Sequence, residues 1–135
     1  MYNEILRMIT QNNVTYFITG MDQGIQIYGA EIVQELKKQW FQITLECAIP
    51  YEEQAANWNE PMRNRYFKII RHCDRETLLQ THYSSDSLKK RSKYMVDNSD
   101  FAIAVWDDIA SDTGNVVKYA KEKSKAVVII NPNEI

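Results

Sequence analysis

Apolar positions in this chain follow two periods, and the periods alternate. Ile5, Leu6 and Ile9 share one side of a short helix over 3–12. Val14-Thr15-Tyr16-Phe17-Ile18-Thr19 is a β-branched and aromatic run stopped by Gly20, which predicts a buried strand. Helical spacing returns over 25–40, where Ile25, Tyr28, Ile32, Leu36 and Trp40 form one stripe. A second strand runs from Ile43 to Ile49 and ends at Pro50. Residues 51–57 read as a helical turn or two, and Glu60-Pro61 restarts a helix through Cys73, Pro being tolerated in a first turn. Thr77–Thr81 predicts a short strand, and Ser87–Asn98 a basic helix. Phe101-Ala102-Ile103-Ala104-Val105-Trp106 is an almost wholly apolar strand. Asp112–Lys123 is a helix with Asp112 or Thr113 as N-cap, and Ala126–Ile130 is a last apolar strand closed by Asn131-Pro132.

Strands alternating with helices, several of them apolar throughout, predict a parallel sheet covered on both faces. The expected architecture is a three-layer α/β fold of Rossmann type with a mostly parallel sheet of about five strands. No repeat or linker divides it, so residues 1–135 read as one domain. A doubly wound domain usually opens with a strand, often central in the sheet. This chain opens with a helix, so either the sheet lacks a customary strand or another chain supplies one, and a homo-oligomer is expected.

Composition narrows the functional classes. With 16 Lys+Arg against 18 Asp+Glu the net charge is -2, which argues against bulk nucleic-acid binding. No apolar run approaches the roughly 18 residues of a membrane span, and no signal-peptide pattern opens the chain, so a cytoplasmic protein is expected. Cys47 and Cys73 are too few for a disulfide framework and suit small apolar filling.

The four glycines are the most informative positions, marking either plain tight turns or a phosphate-binding rim. Gly20 and Gly24 bracket the turn from the first strand into a helix, Gly29 lies within that helix, and Gly114 opens the helix after the 101–106 strand. Ligands of parallel sheets bind beyond the carboxyl ends of the strands, and a helix start there offers free N–H groups and a positive dipole end. Two such turns facing one cleft would hold two phosphates, or a phosphate and a ribose. Tyr51 and Trp58 either stack on a base or fill space under a loop. Arg63, Arg65, Arg71 and Arg75, like the Lys89-Lys90-Arg91 and Lys93 cluster, suit either an anion or a solvated helix face. Asp107-Asp108 suits a ribose hydroxyl or a turn.

Other chemistries find little support. His72 and His82 lack metal-ligand spacing, so no metal is expected. His72 and Cys73 are adjacent on a helix and point about 100° apart, which does not make a nucleophile–base pair. Neither a nucleophile elbow nor a phosphate-loop lysine is present.

Phe17-Ile18-Thr19-Gly20-Met21-Asp22-Gln23-Gly24-Ile25, running into Ala30-Glu31, resembles the second-strand motif of the YpsA/YoqJ-like (DUF1273-type) proteins of the SLOG superfamily. That superfamily also holds the Lonely Guy phosphoribohydrolases and DprA-type DNA-binding proteins. Pro50-Tyr51 through Trp58, Arg91 with Tyr94–Asp100, and Phe101–Trp106 followed by Asp107 through Thr113-Gly114-Asn115 to Ala120 resemble further family segments in the same order. The resemblance implies a Rossmann-like fold with a nucleotide-derived ligand at the carboxyl rim. Carried over by position, Thr19, Gly20, Gly24, Glu31, Arg91, Asp107, Thr113, Gly114 and Asn115 face that ligand, and Tyr51 joins them from the residue reading. Two departures stand out. The family's opening strand, with its Thr-Gly-x-Arg loop, is absent. The Glu of the Lonely Guy motif Pro-Gly-Gly-x-Gly-Thr-x-x-Glu has no counterpart in Ile109–Val117.

Three functions follow in order of expectation. The first is non-catalytic binding, for sensing or sequestration, of an ADP-ribose-like or cyclic-nucleotide signal in bacterial or phage defence, with no other cofactor. The second is a nucleotide N-glycosidase using Glu31 or Asp107 as its carboxylate. The third is a DNA-binding or protein-interaction module, supported only by the Lys89–Lys93 cluster.

Overall fold

The computed structural model describes residues 1–134, and the chain forms an α/β fold, consistent with the Rossmann-like class. In chain order the elements are α1 (Tyr2–Gln11), β1 (Tyr16–Thr19), α2 (Ile25–Lys37), β2 (Thr44–Ile49), α3 (Glu60–His72), β3 (Arg75–Leu78), α4 (Ser87–Asp97), β4 (Phe101–Val105), α5 (Asp112–Glu122) and β5 (Ala126–Ile130). A short 3-10 turn, Pro132–Glu134, follows. All strand pairs are parallel, as expected for strands joined through helices. The five strands divide into two sheets, ordered β1-β2-β3 and β4-β5. The chain packs as two compact units, Met1–Arg91 and Ser92–Ile135.

In the first unit, β2 has a neighbour on each side and is the core strand. Five of its six residues are buried, including Leu45, Cys47 and Ile49. Glu46 is also buried, 2% exposed, and its carboxylate accepts from Tyr16 Oη at 2.5 Å and Thr77 Oγ1 at 2.8 Å. The register explains this, since Ile18 and Arg75 lie level with Glu46 on either side and Tyr16 and Thr77 share its face. A buried carboxylate is tolerable only when its oxygens are bonded in this way. Asp74 closes the other end of the ladder. It accepts from Leu45 N at 2.8 Å and pairs with Lys37.

Four expectations need correction. The buried side of α2 is Ile27, Ala30, Ile32, Val33 and Leu36, whereas Ile25 and Tyr28 are 43% and 49% exposed. Contacts with both α1 and α3 turn a different arc of the helix inward. The helix also ends at Lys37, short of Trp40. The third strand is Arg75–Leu78 rather than Thr77–Thr81; it is an edge strand, which needs no apolar face and is placed by its ladder to β2. Residues 51–57 form turns, not a helix.

The second unit pairs β4 with β5 in the register Phe101↔Ala126 to Val105↔Ile130, with α5 packed on both strands. Neither strand contains a buried residue, although both are wholly apolar. A strand of that composition is expected to be buried on both faces. Val117 and Ala120 of α5 and Val96 of α4 are the buried apolar residues here. Among the described residues, no helix is long and apolar enough to cross a membrane.

Candidate functional site

The turn between β1 and α2 is held by an unusual set of partners. Met21 is fully buried with φ 64°, and Gly24 follows with φ 87°, so the chain twice enters the left-handed region within four residues. For a buried Met this conformation costs of order 1–3 kcal/mol and persists only when the surroundings fix it. Arg91 and Gln54 do the fixing. Arg91 Nη1 donates to Gly20 O at 2.7 Å and Nη2 to Asp22 Oδ2 at 2.8 Å. Gln54 Nε2 donates to the same two groups, at 3.1 Å and 2.9 Å. The turn is therefore buckled at one carbonyl and one carboxylate by two buried side chains. The Arg91 side chain is 4% exposed and that of Asp22 40%. Arg91 Nε and Gln54 Oε1 are buried with no hydrogen-bond partner among the described residues.

Gly20 is dictated by this packing. A Cβ there would lie 2.5 Å from Gln26 Oε1 and 2.6 Å from Arg91 Cδ. Thr19 ends β1 and is buried; its hydroxyl donates to Gln26 O at 3.1 Å and accepts from Met21 N at 3.4 Å. Gly24 is the N-cap of α2 and provides no side-chain cap. Asp22 O accepts from Ile27 N and Gly24 O from Tyr28 N. The N–H groups of Gly24, Ile25 and Gln26 have no acceptor among the described residues. They form the open positive end of a 13-residue helix.

The other predicted contacts are placed differently. Glu31 lies farther along α2, where it accepts from Arg65 Nε at 3.0 Å and Nη2 at 2.5 Å, a bidentate pair joining α2 to α3. The Tyr51 ring packs edge-on against Tyr83 and Trp58 edge-on against Tyr66, so both aromatics are engaged with neighbouring rings. Arg63 donates to Trp58 O, and Lys90 pairs with Asp86. Burial pushes both the Cys47 and the Cys73 thiol up, which disfavours the nucleophilic thiolate.

In the second unit, Asp107 is exposed and its carboxylate accepts from Ile109 N at 3.1 Å, the geometry of an Asx turn. The N-cap of α5 is Ser111, not Asp112 or Thr113. Its backbone is extended and its Oγ accepts from Gly114 N at 3.1 Å, which starts the helix one residue earlier. Thr113 and Asn115 are exposed on the first turn, and the Trp106 indole rests on Gly114, within 3.0 Å of where a Cβ would stand. Trp106, Gly114, Val117, Lys118, Lys121 and Glu122 line an open groove of about 450 Å³ along α5. Thus one helix start carries a side-chain cap and the other, α2, does not.

The sequence names Gly20, Gly24 and Arg91 as ligand-facing candidates; the structure places them at the β1–α2 turn together with Asp22 and Gln54, which the sequence does not single out. Nothing local marks either residue. Their partners lie 32 and 69 positions away in the chain, so only the folded arrangement reveals them.

The family model described as the YspA SLOG family matches residues 1–135. A UPF0398 protein from Lysinibacillus sphaericus is 24% identical over 120 residues, covering 87% of this chain and 67% of the relative. Another from Ligilactobacillus salivarius is 31% identical over 94 residues, 68% of this chain and 51% of the relative. The SPbeta prophage-derived protein YoqJ of Bacillus subtilis is 28% identical over 130 residues, 87% of this chain and 76% of that protein. The chain thus spans from about half to three quarters of the length of these relatives.

Proposed function

Because this chain belongs to the YspA SLOG family, we propose that it binds a nucleotide-derived small molecule, of ADP-ribose-like or cyclic-nucleotide type, and does not convert it. A phosphate of the ligand sits on the N-terminus of α2. The observation that carries this reading is the start of α2 at Gly24, which has no side-chain cap and where the N–H groups of Gly24, Ile25 and Gln26 have no acceptor among the described residues. Such an end favours an anion by about 0.3–1 kcal/mol when exposed, and up to about 2 kcal/mol when partly buried. Asp22 would repel a phosphate, but its carboxylate is paired with the buried Arg91 guanidinium. Arg91 acts by holding the turn and offsetting that charge, its nearly buried guanidinium being bonded to Gly20 O and Asp22.

Binding without turnover is favoured over glycosidic cleavage by the state of the carboxylates. Cleavage needs a carboxylate free to exchange a proton with the substrate. Of the two candidate carboxylates, Glu31 is held bidentately by Arg65. The role that fits is sensing or sequestration of the ligand.

Calorimetry over ADP-ribose, ADP and cyclic nucleotides, with mass spectrometry of the recovered ligand, tests the proposal. Saturable heat with unchanged ligand supports it. Absence of heat with every member, or release of free base, overturns it.

A further inference from the structure

Two thiols that the candidate site does not use meet inside the first unit. Cys47 lies within β2, is fully buried, and points to the face of the strand that also carries Leu45. Cys73 is the C-cap residue of α3, where the chain leaves the helix in an extended conformation and enters β3. The next residue ties this junction to β2 twice. Asp74 N donates to Leu45 O at 3.0 Å, and Asp74 Oδ2 accepts from Leu45 N at 2.8 Å. Lys37 of α2 pairs with the same carboxylate. Cys73 thus immediately precedes an anchor on Leu45, and Cys47 shares its face of β2 with that same Leu45. The two side chains are near neighbours as a result, each lying in the hydrogen-bonding and charge environment of the other. Both are free thiols.

The pair is asymmetric. Cys47 is enclosed, whereas Cys73 is half-buried and its Sγ donates to Ile70 O at 3.2 Å. Apolar filling accounts for Cys47 but not for a half-buried thiol at a helix end. An oxidant in solvent reaches Cys73 first, and a sulfenic acid formed there has a second thiol beside it to resolve it.

We propose that Cys47 and Cys73 are an oxidative modification site, at which hydrogen peroxide produces an intramolecular disulfide that ties β2 to the α3–β3 junction. The Cys73 thiol gives up its proton and its sulfur attacks peroxide. An S–O bond forms, the O–O bond breaks, and the departing oxygen leaves as water. Cys47 then loses its proton and attacks the Cys73 sulfur. The S–S bond forms, the S–O bond breaks, and hydroxide leaves and is protonated to a second water. The two thiols lose two electrons in all and peroxide gains them. Burial keeps the thiolate fraction of both residues small, so the pair responds to sustained oxidation rather than to a brief pulse. Closing the stretch 47–73 restricts the unfolded chain, which makes the oxidised form the more stable one.

Mass spectrometry of the full chain before and after treatment with hydrogen peroxide tests the site. The reduced chain, unfolded in urea, takes up two iodoacetamide groups. The expected oxidised product is monomeric, takes up none, regains both with dithiothreitol, and yields one linked peptide pair containing Cys47 and Cys73. Its urea midpoint rises by about 1 M or more. Cys73→Ser, a change at a half-buried position, leaves Cys47 open to alkylation after the same treatment. Cys47→Ala stops the reaction at a Cys73 sulfenic acid that dimedone traps. Four results would each overturn the proposal: both thiols still alkylated after peroxide, sulfinic acid at Cys73 with Cys47 free, a disulfide-linked dimer as the main product, or an internal disulfide that lowers the midpoint.

Discussion

Replacing Gly20 by alanine tests the buckle that shapes the β1–α2 turn. The new Cβ would lie 2.5 Å from Gln26 Oε1, 2.6 Å from Arg91 Cδ and 2.7 Å from Arg91 Nε. Gln26 can swing away at small cost, but Arg91 is 3% exposed and has nowhere to go. Forcing an atom into such packing costs about 1–3 kcal/mol. Displacing Arg91 also weakens its bonds to Gly20 O and Asp22. A hydrogen bond to a charged group contributes about 1.5–3 kcal/mol, and the lower figure applies because Asp22 is 40% exposed. Together these give a loss of about 3 kcal/mol, read as a lower urea midpoint with unchanged slope. Two other glycines separate crowding from backbone strain. Gly24→Ala meets no atom within 4 Å but has φ 87°, and should cost about 1–2 kcal/mol through conformation alone. Gly29→Ala meets only the flexible Met1 Sδ at 3.3 Å in a helix interior, and should be neutral or stabilising by up to about 1 kcal/mol. A Gly20→Ala variant within about 0.5 kcal/mol of the parent would refute the buckle.

Tyr16→Phe removes the hydroxyl that donates to buried Glu46 and should lower stability by about 1 kcal/mol in the same titration, the ring being 43% exposed. For Asp74, burial opposes ionisation, but the bonds from Lys37 and Leu45 N outweigh it and hold the carboxyl below its usual range. Its contribution is therefore present above the unfolded carboxylate pKa of about 4 and is lost as pH falls through the lower folded value. Asp74→Asn should flatten the acid limb of the stability–pH curve; an unchanged limb would show that other carboxylates control it. Ser111→Ala deletes the α5 cap and should cost about 1 kcal/mol by thermal melting, whereas Asp112→Asn should cost less than half of that because Asp112 is not the cap.

Periodicity made most elements legible. Val14–Thr19 and Ala126–Ile130 read as strands because β-branched residues run to a glycine or proline stop, and β1 and β5 lie within or on those limits. The edge strand β3 was misplaced by two residues because Arg75 and Glu76 carry no apolar signal; the ladder to Glu46 and Cys47 sets its position. The division into two sheets was not legible, since Phe101–Val105 has the composition of a strand with neighbours on both sides. At the candidate site, Gly20 and Gly24 stand out as glycines after a strand. The reason for Gly20 is an arginine 71 positions away, which no local pattern encodes. Glu31 shows the opposite error, a carboxylate on the right helix whose partner, Arg65, is supplied by the next one.

The most direct test is a nitrogen-15 amide titration of the full chain with ADP-ribose. A phosphate held at the start of α2 predicts large, saturable shifts at Gly24, Ile25 and Gln26, with smaller ones at Asp22. Saturable shifts confined to other residues, with 24–26 unmoved, would contradict the assignment of that helix end as the anion site.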